Sequence, residues 1–237
     1  MTENQQSEIR NYLLEKKLPI DIMLEVQDHF VSQINNLQKE ENLSFDDALT
    51  KTKNSWQNEL KPYWNGELDL QDRSKLLRNI NRNNFWSLTK KSVCYTLPII
   101  FFLFILSKIA SFLYFKYVFV TVVFLVFFYP FINYFRNWKE FRLFNKYNGY
   151  ILISVQEYTT LFLGGAYFYF RFFAEGFIVA EQFQMFFVAA DSKNLILGFI
   201  FVFILIFASF LAIFSQKIYL QKIQKIKPFL QYLKPSN

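Results

Sequence analysis

Glu157 is the residue in this sequence with the most chemistry to offer. It stands in the run GYILISVQEYTTLFLGGAYFYFRFF, residues 149 to 173, which is long enough to cross a bilayer as a helix. An ionisable side chain inside hydrocarbon costs about 2.5 to 3.5 kcal/mol on insertion scales, so such a residue is a functional candidate by default. With Gln156, Tyr158 and Thr160 as neighbours, Glu157 has the makings of a proton relay or a cation site. The competing reading places it within two turns of the inner interface, where it reaches water or pairs with Lys146.

The remaining reactive residue types are sparse. One cysteine and one histidine exclude an internal disulfide and leave no Cys/His zinc set. Cys94 reads as a packing residue, with lipidation as the alternative, and His29, beside Asp28, reads as a solvated side chain. The acid pairs Glu40-Glu41 and Asp46-Asp47 fall on the wet faces of short helices. The six glycines form no GxxxxGK and no GxGxxG, and neither HExxH nor GxSxG is present. No catalytic residue, metal ligand or cofactor site is therefore assigned.

What must position Glu157 is an apolar framework. The chain has 237 residues, 53% hydrophobic and 21% aromatic, too greasy for a soluble domain of this length. Residues 92 to 135 hold two apolar runs joined by a Lys-bearing bend near Ser107 to Lys116. They predict a hairpin of two crossings, about 92 to 112 and 116 to 135, bent by Pro98 and Pro130, with Lys108 and Lys116 snorkelling at its outer turn. A third crossing is predicted at 149 to 173 in preference to a window of about 159 to 180, which would expose Glu157 and bury Arg171 and Glu175, an i, i+4 pair. Residues 174 to 190, interrupted by Glu175, Glu181, Gln182 and Gln184, predict a short helix in the outer interface. A fourth crossing follows at about 194 to 214, capped by Asp191 or Ser192. Thr160 and Gly164, and again Ala208 and Ala212, make close-packing faces compatible with a homo-oligomer.

Ahead of this lies a polar region. Helices are predicted at 4 to 17, with Ile9, Tyr12 and Leu13 on one face; from Pro19 onward, with Met23, Val26, Phe30, Ile34 and Leu37; and from Ser44, an N-cap followed three residues on by Asp47, through Phe45, Ala48, Leu49, Thr52, Trp56 and Leu60. Their stripes bury together as a bundle over residues 1 to 60. Residues 61 to 91 are a linker and a basic juxtamembrane helix, 92 to 215 the membrane domain, and 216 to 237 a basic tail. The fold class is all-α: a small cytoplasmic helical bundle followed by a four-helix transmembrane bundle.

Charge gives the orientation. Residues 1 to 72 hold 7 Lys or Arg against 14 Asp or Glu, whereas 73 to 91 hold 6 basic and no acidic residues. The 136 to 148 loop is +3, the tail +5 and the stretch 174 to 193 is −2. The positive-inside bias thus puts both termini in the cytoplasm, and no secretion signal opens the chain. Anionic inner-leaflet lipid is the expected partner of Arg73, Lys75, Arg78, Arg82, Lys90, Lys91, Lys217, Lys222 and Lys225. That placement, beside apolar segments, argues against nucleic acid.

The order YLLEKKLP, EVQDHFVSQINNLQKEENLS, DDALTKTKNSW over the first 60 residues resembles the HAAS domain and related prefix domains of bacterial permeases. The resemblance rests on the Leu-Pro junction, the Asp28-His29 dipeptide and the serine-capped third helix with its Ala-Leu pair. It implies a cytoplasmic helical module with a regulatory or adaptor role in bacterial envelope signalling, binding a protein partner, and no catalytic residues. The expected protein is a non-enzymatic, multi-pass protein of the bacterial inner membrane. The alternative is a small transporter or ion-pathway component using Glu157; a lipid-acting enzyme is a third reading.

Overall fold

The structure, a computed structural model, describes residues 1–62, 73–160, 166–189 and 193–235, without the side chains of 166–173, 188–189, 193–195 and 197. Most of the 61 to 72 linker, Gly164, the Arg171 side chain and the cap at Asp191 or Ser192 lie outside the described residues. Among those described, the elements are helical: α1 Glu3–Glu15, α2 Ile20–Glu40, α3 Phe45–Leu60, α4 Lys75–Ile109, α5 Phe112–Arg136, the single turns α6 Trp138–Phe141 and α7 Leu143–Lys146, α8 Ala166–Ala189 and α9 Lys193–Ile226. Short 3-10 turns occupy Gln156–Tyr158 and Lys227–Tyr232. One isolated antiparallel bridge joins Pro62 to Ser74.

The chain divides into two compact units. The head unit comprises Met1–Phe85, Arg142–Ser154 and Lys222–Asn237; the apolar unit comprises Trp86–Phe141 and Val155–Gln221. The divisions fall inside α4 and α9.

In the head unit the three expected helices form and bury their stripes: Ile9 and Leu13 from α1, Met23, Val26, Phe30 and Ile34 from α2, and Ala48, Leu49 and Leu60 from α3. Ser44 caps α3, its hydroxyl accepting from the Asp47 N–H at 3.2 Å and donating to the Asp47 carboxylate at 2.7 Å. Thr2 and Gln5 form a reciprocal capping box on α1. Trp56 closes one end of the core, 5.5 Å from Phe30 between ring centres, with its Nε1–H donating to Gln33 at 3.0 Å. The core also takes in Leu152 and Ile153 and, from the end of the chain, Ile223, Ile226, Phe229, Leu230 and Leu233, all buried. The last stretch is therefore packed into the head unit, where a basic tail is expected.

The apolar unit is built on the α4–α5 hairpin, which turns at Ala110 and Ser111. Both Pro98 and Pro130 lie within continuous helix. On α5 the buried positions Phe115, Phe119, Val123, Phe127, Pro130 and Tyr134 follow at three- and four-residue steps, one stripe of a helix. Phe183 of α8, fully buried, packs at 5.1 Å from Phe119 and 5.9 Å from Phe199 of α9. Lys116, near the start of α5, meets Glu181, near the end of α8, while Gln216 joins Pro130, towards the end of α5, to Thr159, which precedes α8, so α8 runs antiparallel to α5. Tyr95 of α4 lies against Phe210 and Phe214 of α9.

The expected third crossing is corrected here. Residues 151 to 155 are not helical, Gln156–Tyr158 is a 3-10 turn, and the next described helix is Ala166–Ala189. The cause is competition for backbone groups. The Ile151 carbonyl accepts from the Ile20 N–H at 2.9 Å and the Leu152 carbonyl from the Asp21 N–H at 3.3 Å. Those donors are orphans of the first turn of α2, and satisfying them holds this segment extended. The separate interfacial helix expected at 174 to 190 is instead part of α8.

Among the described residues three helices are long and apolar enough to cross a membrane: α4, α5 and the stretch Gly198–Tyr232. Only 28% of the apolar window is covered by protein in each of α4 and α5. Leu97, Phe101, Ile109, Leu113, Leu125 and Ile132 are more than half exposed.

Candidate functional site

The most concentrated polar cluster lies in the head unit. Asp21 opens α2, where an acid complements the helix dipole, and its side chain is 4% exposed. Its carboxylate accepts from the Ser154 N–H at 2.8 Å, the Ser154 hydroxyl at 2.8 Å and the Lys222 ammonium at 2.6 Å. Lys222 also reaches Ser154 Oγ at 3.4 Å, and Asn84 Nδ2 approaches the same oxygen at 3.5 Å. Lys222, expected among the lipid contacts, is thus committed to a protein carboxylate.

A serine beside a lysine invites a nucleophile reading, which the geometry refuses. A general base must take the hydroxyl proton, but the Ser154 proton is aimed at Asp21. The Lys222 Nζ is itself directed at that carboxylate, as a donor at 2.6 Å, and not at the serine proton. The cluster joins three stretches of chain and leaves no group poised for attack.

A second network runs through the apolar unit. Gln216, fully buried on α9, donates from Nε2 to the carbonyls of Pro130 and Thr159, both at 3.2 Å, while its Oε1 accepts from Asn133 Nδ2 at 2.8 Å. Asn137 Nδ2 continues the chain to the Asn133 carbonyl and side-chain oxygen at 2.9 and 3.1 Å. The Tyr219 hydroxyl donates to the Glu140 carbonyl at 3.2 Å. These contacts tie α9 to the far end of α5 and to the 156 to 160 turn.

Glu157 itself is exposed on that turn, with Gln156 and Thr160 half-buried beside it. Glu157 thus stands on a 3-10 turn, Gln156–Tyr158, and not within the long helix expected to carry it. Lys108 and Lys116 do not snorkel freely. Lys108 donates to the Phe187 carbonyl, and Lys116 lies 3.3 Å from Glu181 and over the Phe112 ring at 4.0 Å. Gln184 Nε2 donates to the Ser107 carbonyl at 3.1 Å, leaving its buried Oε1 without a partner. Cys94 is exposed rather than packed.

The basic residues divide. Lys75 pairs with Glu59 at 3.1 Å; Arg73 and Arg78 are half-buried, and Arg82, Lys90, Lys91, Lys217 and Lys225 are exposed. Among the described residues no three of His, Cys, Asp and Glu converge as a metal site would require.

Sequence reasoning missed Asp21, Ser154, Asn133, Asn137 and Gln216. The available signal was a lone polar residue in apolar surroundings, as in PFINYF and IFSQKI, since a buried polar group needs a partner. No family model, no curated protein and no solved structure matches the chain.

Proposed function

We propose that this chain is a non-enzymatic integral membrane protein of regulatory or adaptor type, whose helical head unit binds a protein partner on the cytoplasmic side. The observation that carries this reading is the pairing of long, largely uncovered apolar helices with a separately compact helical unit. The polar groups of Asp21 and Gln216 are spent on joining segments.

Four crossings suit the apolar unit. The helix α8 has 24 residues, about 36 Å at 1.5 Å per residue, against a hydrocarbon layer of about 30 Å. Its antiparallel course beside α5 supports a return crossing, and Glu181 and Gln184 are occupied by the α4–α5 turn. An even number of crossings returns the chain to the side it started from, where the basic loops belong.

Two measurements test this. The chain is expected to stay with the membrane fraction under alkaline extraction, and reporters fused after Asn42 and after Lys234 are expected on the same, cytoplasmic side. Affinity capture with the full chain from solubilised membranes is expected to recover a stoichiometric protein that is lost when residues 1 to 60 are removed. Release by alkali, or capture that persists without those residues, refutes the reading.

A further inference from the structure

The two ends of the apolar unit treat their cations differently. At the end where α4 and α5 are joined, Lys108 is bonded to the Phe187 carbonyl and Lys116 to Glu181. At the opposite end, where α4 enters the unit, α5 finishes and α9 leaves it, Lys90, Lys91, Arg136, Lys139 and Lys217 are all exposed. None of these five has an ion-pair or hydrogen-bond partner among the described residues. They come from three chain segments that the Gln216–Asn133 and Tyr95–Phe214 contacts bring to one end. Trp86, 55% exposed, and Trp138, 40% exposed, stand among them.

We infer that this end carries a collar for anionic phospholipid headgroups, an inference that rests on the membrane reading above. The chemistry is complementary at each level. An indole is stable with one side in hydrocarbon and the other at the headgroups. An ammonium or guanidinium one turn away meets a phosphate. Cations already bonded to protein acceptors, as at the other end, have little left to offer a lipid. Lys75 and Lys222 drop out of the expected lipid contacts for the same reason, while Arg136 and Lys139 enter. The occupant is a lipid rather than free phosphate because the cations are spread over three segments beside exposed indoles, an arrangement that suits a layer of headgroups.

The test uses the full chain reconstituted in phosphatidylcholine vesicles containing brominated phosphatidylglycerol or, at the same mole fraction, brominated phosphatidylcholine. Tryptophan quenching reports which lipid lies against the four indoles of the chain, and the part lost in Trp86→Phe with Trp138→Phe is the part that reports on this end. An apparent preference of about fivefold or more for the anionic lipid is expected, the weight one cation carries beside a charged leaflet, and raising the salt should collapse it. Replacing Lys90, Lys91, Arg136, Lys139 and Lys217 by Gln should bring the preference to parity, whereas Lys108→Gln with Lys116→Gln should leave it in place. Equal quenching of the unaltered chain by both lipids, a preference indifferent to salt, or equal loss in the Lys108/Lys116 control overturns the collar while leaving membrane insertion intact. No quenching by either lipid would overturn both.

Discussion

Gln184 and Gln216 are both buried in the apolar unit, 8% and 0% exposed, yet the two amides are in opposite states. Gln216 is bonded at both ends of its amide, through two carbonyls on Nε2 and Asn133 on Oε1. Gln184 makes one bond, to the Ser107 carbonyl, and buries an orphaned Oε1. A hydrogen bond contributes about 1 kcal/mol net, whereas a buried polar group left without its partner costs about 1 to 3 kcal/mol. Gln216→Met should therefore destabilise by about 1 to 3 kcal/mol, because it strands Asn133 and two carbonyls. Gln184→Met, which removes one bond together with one orphan, should change stability by less than about 1 kcal/mol. Thermal unfolding of the two variants in the same detergent compares them directly, and an equal loss would mean that the amide contacts do not carry the difference.

At the scale of elements, the close approach of α8 and α9 depends on Gly198. A Cβ there would lie 3.3 Å from Gln182 Oε1 and 3.4 Å from Gln182 Cβ. The tighter neighbour is the end of a flexible side chain, and glycine within a helix costs about 1 kcal/mol relative to alanine. Gly198→Ala should consequently be near neutral in a detergent melt, whereas Gly198→Leu should separate the helices and lower the midpoint by several degrees, as about 1 kcal/mol or more of overpacking requires. If Gly198→Leu melts like the parent, the helices do not depend on that approach. Much of this level was legible in the sequence. The stripe Met23, Val26, Phe30 and Ile34 becomes the buried face of α2, and Ser44 caps α3, because periodicity and capping act over one turn. The third crossing was misread because its apolarity is genuine, while the donors that hold it extended, the Ile20 and Asp21 N–H groups, lie more than 130 residues away in the chain. Glu157 was misplaced with it. Window hydropathy is blind to a carbonyl claimed by a distant helix end.

At the scale of the whole molecule, the head unit is not a continuous stretch of chain, and this decides how it can be studied. Residues 1 to 85 meet 142 to 154 and 222 to 237, and Asp21 is bonded to one residue from each of the latter two, Ser154 and Lys222. An isolated fragment of residues 1 to 72 would leave Asp21 without either partner and would lack the buried Ile223, Phe229, Leu230 and Leu233, each of which contributes about 1.5 to 3 kcal/mol of burial. Partner capture accordingly needs the full chain. Asp21→Asn is the minimal disturbance of this junction, because the amide can still accept from Ser154 but no longer balances Lys222. Removing one member of a fully buried pair costs about 3 to 5 kcal/mol; the Lys222 side chain is 28% exposed, so water screens it and a loss of about 2 kcal/mol is expected. The loss should be local. Hydrogen exchange should quicken at the backbone amides of Ile20, Asp21 and Ser154 and through 222 to 226, while the α2–α3 core around Phe30 and Leu49 stays protected, and Lys222→Met added to Asp21→Asn should restore part of the protection by removing the stranded charge. Uniform loss across α1 to α3 would instead make Asp21 part of the bundle's own core, and unchanged exchange would mean that the junction does not hold the three stretches together.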